Sequence, residues 1–329
     1  MQRLFLCIFA GLMSCAGLFP RQAWAQASPA SKPAAQASPS TPSPANPSDD
    51  QPEEPDFAFI AGGPYTQKAK STQFISVSQY GWRHTTLGGS TLKHSEFGTL
   101  MRNEWGLTDR WELDLVVHAD GARDRAGPTL LDSDFALSDS VLGIRYRLLR
   151  EGHAPFTLTM GPQLILPTGS MARGTGFDQT GVAWDLSVAK DWGGPVFLYS
   201  SLNYSIFPSV RLLRPAARTA SPLHNIFWGT ALGIRPLERN HGTSHHDIHA
   251  YLEFGLGMEQ DLTGDATAVR RVTDIHTLIS PGIRYGLLKR NYDLYEIGVA
   301  FPVGLDRGTP RYGIILQLQF EHVFHFGGD

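Results

Sequence analysis

Residues 312–326, which read YGIILQLQFEHVFHF, alternate between apolar and polar side chains over most of their length. Leu316, Leu318 and Phe320 fall on one face, whereas Gln317 and Gln319 fall on the other. A period of two is the geometry of a β-strand, in which successive side chains point to opposite sides. One apolar and one polar face suit the wall of a transmembrane β-barrel, which meets lipid outside and encloses a polar lumen.

A half-buried sheet of a soluble protein would alternate in the same way, so the prediction depends on repetition of the pattern. Twelve segments carry it: residues 72–84, 94–107, 111–119, 137–149, 155–166, 178–191, 195–207, 223–236, 247–259, 273–287, 292–304 and 311–326. The sequence therefore predicts an all-β fold, a transmembrane antiparallel up-and-down β-barrel of about twelve strands.

The predicted links between these strands alternate in length. The short ones are residues 108–110, 150–154, 192–194 and 288–291, and the long ones are residues 120–136, 167–177, 208–222 and 260–272. Bacterial outer-membrane barrels have short periplasmic turns and longer extracellular loops, so this order predicts an even strand number with both chain ends in the periplasm. The histidine-rich link at residues 237–246 is the exception, because it is long on the predicted periplasmic side.

Composition excludes a helical membrane protein. Charged residues make up 18% of the chain, and the mean hydropathy is -0.17. Apart from the N-terminus, no apolar run approaches the roughly 20 residues that a spanning helix requires. Barrel lumens and loops lower hydropathy in this way.

The N-terminus predicts export. Arg3 precedes an apolar core, and the small residues Ala23 and Ala25 fit a signal-peptidase site, so residues 1–25 are expected to be a signal peptide. A lipoprotein cleavage before Cys15 is the alternative. Cleavage after Ala25 would remove both cysteines of the chain, Cys7 and Cys15. Residues 26–55, rich in Pro, Ala and Ser, predict a disordered periplasmic tether, and residues 56–329 the barrel.

The polar faces of the strands predict a charged lumen in which acidic groups outnumber basic ones. The predicted lumen-lining residues are Glu96, Arg102, Glu104, Glu112, Asp114, Asp139, Arg145, Arg147, Asp185, Glu253, Glu259, Arg284, Glu296 and Glu321. Charges away from bulk water must pair or stay hydrated, so arginine–carboxylate pairs across adjacent strands are expected. Two interpretations remain open: the pairs only fill a narrow barrel, or they line a conduit for cations and neutral polar solutes.

Metal binding and catalysis find little in the sequence. His241, His245, His246 and His249 are closely spaced and could ligate a transition metal, but such spacing is weakly specific and a solvated turn is the preferred interpretation. The scattered histidines do not join a nucleophile in a local motif, and the nucleophile elbow G-x-S-x-G is absent. We therefore predict no enzyme activity, no cofactor and no metal site.

Several segments resemble a bacterial family described as the MetA pathway of phenol degradation. They are residues 103–113 (NEWGLTDRWEL), 137–149 (LSDSVLGIRYRLL), 166–169 (LPTG), 280–285 (SPGIRY) and 297–303 (IGVAFPV), in order along the chain. The resemblance implies an outer-membrane barrel of a transporter-like kind, in relatives whose genes sometimes lie near those for breakdown of aromatic compounds. It implies no catalytic residues.

Together these observations predict a monomeric channel in the outer membrane of a Gram-negative bacterium that passes small solutes passively, with aromatic compounds among the candidates. Its expected surroundings are outer-membrane lipid and lipopolysaccharide, and nucleic acid is excluded by this location. The alternatives are a structural or adhesive barrel with a plugged lumen and, less favoured, a lipid-modifying enzyme. The solute itself is not readable from the sequence.

Overall fold

A computed structural model shows the architecture. It describes residues 58–87, 90–126, 129–170, 173, 175–192, 195–208, 210, 222–241, 244–264, 269–289, 294–306 and 309–323. The predicted signal peptide and tether, residues 1–25 and 26–55, lie outside this range. Within it, no helix is long and apolar enough to cross a membrane.

The described residues form one antiparallel sheet that closes on itself. Its strands are β1 (Ser71–Leu87), β2 (Ser90–Gly106), β3 (Trp111–Ala126), β4 (Thr129–Leu137), β5 (Ser140–Leu149), β6 (Thr157–Leu166), β7 (Gly181–Asp191), β8 (Val196–Phe207), β9 (Leu223–His241), β10 (Ser244–Gly264), β11 (Val269–Lys289), β12 (Leu294–Ala300), β13 (Val303–Gly304) and β14 (Tyr312–Val323). Neighbours in sequence pair around the ring, and β1 pairs with β14 to close the barrel.

Two pairs of these elements each form a single barrel strand. β4 and β5 are separated by Ser138 and Asp139, and the Ser138 nitrogen still bonds the His118 carbonyl at 2.9 Å. β12 and β13 are separated by Phe301 and Pro302. Pro302 has no N–H to give to the ladder, although its carbonyl accepts from Gly313 at 2.8 Å. The barrel therefore has twelve strands, and the predicted fold class is confirmed.

The two faces of the wall differ as the alternation predicts. In β14, Leu316 and Leu318 are 53% and 55% exposed on the outer face, while Gln317 and Gln319 are 1% and 3% exposed on the inner face. This is the inverse of a soluble barrel, which buries its apolar side chains. An exposed apolar band around the whole wall is the surface expected to contact lipid.

Several predicted links are strands in the structure. Residues 120–136 were predicted as a long loop, yet most of them form the β3–β4 hairpin, and residues 260–272 contain the ends of β10 and β11. Residues 237–241 and 244–246 lie in the ends of β9 and β10, so most of the apparent exception on the periplasmic side is a strand extension. Beyond the 9–11 residues that cross a bilayer, a hairpin needs no apolar face, and its sequence loses the alternation used to find it.

Residues 58–70, called here the lumen segment, form none of the named strands and run inside the barrel. Ala58 and Ala61 are 5% and 1% exposed and pack against inner-face residues such as Ala231 and Ala300. Lys70 has a φ of 67° and turns the chain into β1. We call the end of the barrel where β1 begins and β14 ends the turn end, and the opposite end the loop end.

Candidate functional site

Five charged residues form a cluster on the inner face of β2, β3 and β5. Arg102 Nε lies 2.8 Å from Glu104 Oε1, and its Nη2 lies 2.7 Å from Asp114 Oδ2. Arg145 Nη1 lies 3.0 Å from Glu112 Oε1. All three carboxylates are buried, and in this charged cluster three negative groups face two positive ones.

The acidic members approach closely enough to suggest a metal site. Carboxylate oxygens of Glu104, Glu112 and Asp114 lie within 4.8 Å of one another. The two guanidinium groups, however, already supply cationic partners at hydrogen-bond distance. The backbone nitrogen of Gln67 donates to Glu112 Oε2 at 2.6 Å as well. The donor set therefore fits an ion-pair network that receives the lumen segment better than it fits a divalent cation.

The wall holds the lumen segment largely through its backbone. Arg145 donates to the carbonyl of Gly63 and, at 3.4 Å, to that of Tyr65. Thr159 donates to the carbonyl of Pro64 between them. Because these contacts run from side chains of the wall to an extended chain, they would form and break without disturbing any strand pairing.

Glu253 makes the corresponding contact on the opposite wall, in β10. Its carboxylate accepts hydrogen bonds from the backbone nitrogens of Phe59 at 2.7 Å, Ile60 at 2.6 Å and Ala61 at 3.2 Å. The next nitrogen, that of Gly62, donates to Ser201 Oγ at 2.9 Å. Three N–H donors on one buried carboxylate compensate for much of its lost hydration.

The Phe59 ring lies in a depression of the inner wall. Cβ atoms placed on Gly282 of β11 or Gly298 of β12 would come within 2.6 Å of this ring, so only glycine leaves room for it. The Tyr251 ring meets the Phe59 ring edge-on, with centroids 5.9 Å apart. We call the space bounded by Gly282, Gly298 and Tyr251 the aromatic notch.

Arg284, Glu296 and His249 form a polar group of side chains beside the aromatic notch. Arg284 donates to the Tyr251 hydroxyl, and its Nη1 lies 3.4 Å from Glu296 Oε2. His249 is buried, with Nδ1 3.2 Å from the same hydroxyl. The aromatic notch therefore has a polar floor on one side and the Glu253 carboxylate nearby.

The other predicted lumen residues are spread along the barrel. Arg147 donates to the carbonyl of Asp109 in the β2–β3 turn, and Asp185 lies 3.8 Å from Arg145. Asp139 lies in the break between β4 and β5. It accepts from the backbone nitrogens of Gly169 at 3.0 Å and Phe177 at 3.1 Å.

Three of them lie away from the charged cluster. Glu96 binds His94 at 2.6 Å toward the loop end of β2. Glu259 is exposed in β10 opposite Asp274, and Glu321 is half-buried opposite Gln73. The structure therefore concentrates some of the predicted charges and distributes the others along the wall.

The histidine-rich hairpin does not gather its imidazoles. His246 Nδ1 contacts the Tyr285 hydroxyl at 2.6 Å on the exposed outer face, whereas His249 is buried inside. His245 precedes His246 in β10, so the two alternate in direction. The side chain of His241 lies outside the described residues. In the part of the chain with described side chains, these histidines form no metal-binding group.

An apolar cluster occupies part of the interior toward the loop end. Its members are Ile165, Ala183, Phe207, Val210, Leu223 and Leu262, with Val141 and Phe177 packed against them. These side chains are inner-face or loop residues, and the polar-inside rule did not predict them. The lumen therefore holds polar and apolar side chains together, and this apolar cluster lies toward its loop end.

The sequence pattern does not predict that residues 58–70 lie inside the barrel. Residues 58–70 read AFIAGGPYTQKAK, which has neither helical nor strand periodicity. Two signals were present: the small residues of the segment, which allow close backbone approach, and the glycines Gly282 and Gly298 in β11 and β12, which make room for a ring such as that of Phe59. Neither specifies a position inside a barrel without the tertiary structure.

The fold resembles that of known outer-membrane proteins. An outer membrane channel from Pseudomonas putida F1 is 13% identical, with a TM-score of 0.50, over 79% of this chain and 97% of that one. The translocator domain of the autotransporter NalP from Neisseria meningitidis is 12% identical over 78% and 90%, with a TM-score of 0.42. The β-domain of the Bordetella autotransporter BrkA is 11% identical over 77% and 100%, with a TM-score of 0.43.

The two autotransporter domains are too distant to support any argument. No protein-family model matches the sequence, and no curated protein matches it. The similarity to the Pseudomonas channel is at the level of fold, because the identity is low. The chain is thus an all-β closed barrel of twelve antiparallel strands, of the kind found in the outer membranes of Gram-negative bacteria.

Proposed function

We propose that the protein is an outer-membrane channel for small solutes, and that the lumen segment is its gate. The observation that carries the proposal is the way this segment is held. Wall side chains bond the backbone nitrogens of residues 59–62 and 67 and the backbone carbonyls of residues 63–65. The segment can therefore leave the lumen while the barrel stays closed.

The surface of the barrel supports the location. The exposed apolar outer face requires lipid, and the twelve antiparallel strands match the outer-membrane fold. We propose further that the chain is exported by its N-terminal signal peptide. The turn end of the barrel would face the periplasm, and the outer face would contact lipopolysaccharide. The protein would act as a monomer, since one chain closes the barrel by pairing β1 with β14.

The solute class follows from the lumen and from the family resemblance. Once the lumen segment withdraws, the charged cluster and Glu253 lose N–H donors and leave a passage that favours cations and neutral polar molecules. The resemblance to the family described as the MetA pathway of phenol degradation adds small aromatic compounds to the candidate solutes. The apolar cluster toward the loop end would give such molecules a compatible surface.

A disulfide across the gate tests the proposal. A Cβ atom on Gly62 would lie 3.6 Å from Ser201 Cβ, within the range of disulfides, and Gly62 has no positive φ. The mature chain is expected to carry no other cysteine, so Gly62→Cys with Ser201→Cys would form a single defined bond. The refolded protein would be studied in planar bilayers, with Ser201→Cys alone as the matched control.

A gated channel gives openings in the reduced double variant and in the control, and far fewer in the oxidised double variant. Equal conductance in the oxidised and reduced forms would show that the lumen segment does not gate. Glu253→Gln, which weakens the hydrogen bonds that hold the lumen segment, is measured as well. No conductance in any of these proteins would favour the second candidate. That candidate is a structural or adhesive barrel with a plugged lumen, which the close fit of the lumen segment supports.

A further inference from the structure

Phe59 presents two chemical groups to the wall at once. Its backbone nitrogen donates to Glu253 Oε1 at 2.7 Å, and its ring fills the aromatic notch. The nitrogen and the ring of one residue are joined by two carbon atoms. The wall therefore recognises an N–H donor and a phenyl ring at a fixed separation.

The notch is shaped for the ring. Gly282 and Gly298 are on neighbouring strands, and a methyl group on either would come within 2.6 Å of the Phe59 ring. Tyr251 supplies an aromatic edge at a centroid distance of 5.9 Å and an interplanar angle of 87°. An edge-to-face contact of this kind favours an aromatic occupant over an aliphatic one of equal size.

The carboxylate is suited to a cationic donor. Glu253 accepts three N–H groups from consecutive residues, whereas the neighbouring cation Arg284 bonds the Tyr251 hydroxyl and faces Glu296. When the lumen segment leaves, the carboxylate loses all three donors together. An alkylammonium group carries three N–H donors and a positive charge on one nitrogen, so it can replace them from a single position.

We propose that the aromatic notch and Glu253 together form a binding site for arylalkylammonium cations, with the ring in the notch and the ammonium group on the carboxylate. The simplest such ligand is the phenethylammonium ion, whose nitrogen and ring have the same two-carbon separation as in Phe59. The proposal rests on the proposed gate, because the ligand takes the place of Phe59. Bound ligand would hold the lumen segment out.

The site distinguishes ligands by charge and by shape. Phenylacetate places a second carboxylate against Glu253 and is repelled. Phenethyl alcohol keeps the ring but offers one donor and no charge, and ethylammonium keeps the charge but leaves the notch empty. A conduit with only general acidic character would instead treat ethylammonium and phenethylammonium alike.

Binding is measured by titration calorimetry on the full chain in detergent, with phenethylammonium chloride as the probe and the three analogues as controls. The reduced Gly62→Cys/Ser201→Cys protein should bind phenethylammonium, and the oxidised form should not, since the ring of Phe59 is then held in place. Glu253→Gln should weaken binding about tenfold or more, which is typical for loss of a charged hydrogen-bond partner.

A second variant tests the notch without touching charge. Gly298→Ala narrows it, whereas Gly257→Ala is the matched control, because its nearest atoms would lie 3.6 Å away. Retained heat-modifiable migration on gels shows that each variant is folded. Phenethylammonium binding should fall in Gly298→Ala and stay unchanged in Gly257→Ala. Equal affinity for phenethyl alcohol, or equal binding to the oxidised and reduced proteins, would overturn the site.

The two proposals fail separately. Redox-dependent conductance without a preference for phenethylammonium would leave the gate and remove the ligand site. Redox-dependent binding of phenethylammonium in a barrel that never conducts would establish the site and remove the channel.

Discussion

Arg145 joins the wall of the barrel to the lumen segment, since its Nη1 lies 3.0 Å from Glu112 Oε1 while its Nη2 donates to the carbonyl of Gly63. The side chain is 1% exposed. One guanidinium group therefore neutralises part of the charged cluster and positions the lumen segment at Gly63 and Tyr65. Its loss should affect both the stability of the barrel and the position of the gate.

Arg145→Met should destabilise the barrel by about 3–5 kcal/mol, because it leaves buried carboxylates without a partner. The measurement is urea unfolding in phospholipid vesicles, followed by tryptophan fluorescence. Arg110→Met is the control, since Arg110 is exposed in the β2–β3 turn. Adding Glu112→Gln to Arg145→Met should recover part of the loss. Equal unfolding midpoints for Arg145→Met and Arg110→Met would contradict a structural role for the ion pairs.

The outer face should reject charge even though it is exposed. Leu316 is 53% exposed, and in a soluble protein an arginine there would be harmless. In a bilayer, Leu316→Arg should cost roughly 2–4 kcal/mol, the usual penalty near the middle of a barrel wall. His84→Arg, at an exposed position toward the loop end of β1, is the control. Similar unfolding free energies for the two variants in vesicles would argue against the lipid-facing assignment.

The wall was predictable because the membrane imposes a strict rule on it. Every spanning strand must alternate, so the pattern of Leu316, Gln317 and Leu318 in β14 recurs around the ring. The rule ends where lipid ends, and the sequence therefore predicts a loop at residues 120–136, where the structure has the β3–β4 hairpin. The lumen segment, which contacts no lipid, shows no such alternation.

The site was only half predictable for the same reason. The alternation predicts that Glu253 lies on the polar face, but its partners are backbone nitrogens more than 190 residues away in sequence. Gly282 and Gly298 looked like ordinary strand glycines, and only the packed structure shows that the Phe59 ring lies over both. Contacts between an irregular segment and a regular wall leave no periodic trace in a sequence.

The β2–β3 hairpin carries a group that should respond to pH. His94 is about a dozen residues from the turn end of β2, beyond the length that crosses a bilayer. Partial burial disfavours its charge, but hydrogen bonds to Glu96 and Asp124, both at 2.6 Å, outweigh this effect and raise the pKa of His94 above 6.5. The folded hairpin therefore favours the imidazolium form.

The sign of the pH dependence follows from this direction. A pKa that is higher in the folded state gives stability that is fully present below pH 6.5 and is lost as pH rises through the folded pKa. NMR titration of the His94 ring should give a pKa above 6.5, and Asp124→Asn should lower it. His94→Gln should remove this part of the pH dependence of unfolding. A His94 pKa below 6.5 in the wild-type protein would contradict the placement of His94 between Glu96 and Asp124.

Packing inside the barrel provides the last test. Phe197 of β8 is fully buried, and its ring lies over Gly233 of β9, where a Cβ atom would overlap it. Gly233→Ala should therefore destabilise the barrel by about 1–3 kcal/mol, as overpacking does. Gly257→Ala, whose new atom would have its nearest neighbours at 3.6 Å, should be close to neutral. Both are measured by urea unfolding in vesicles.

A second substitution, at Phe197, distinguishes steric overlap with the Phe197 ring from an effect of alanine on the strand backbone at position 233. Phe197→Leu shortens the ring side chain that Gly233 accommodates, so the double variant Gly233→Ala/Phe197→Leu should lose less stability than the two single losses added together. Strict additivity would mean that Gly233 is needed for the strand backbone and not for the ring above it. In that case the small residues of the inner wall would set the curvature of the barrel, and room for aromatic rings inside it would be a by-product.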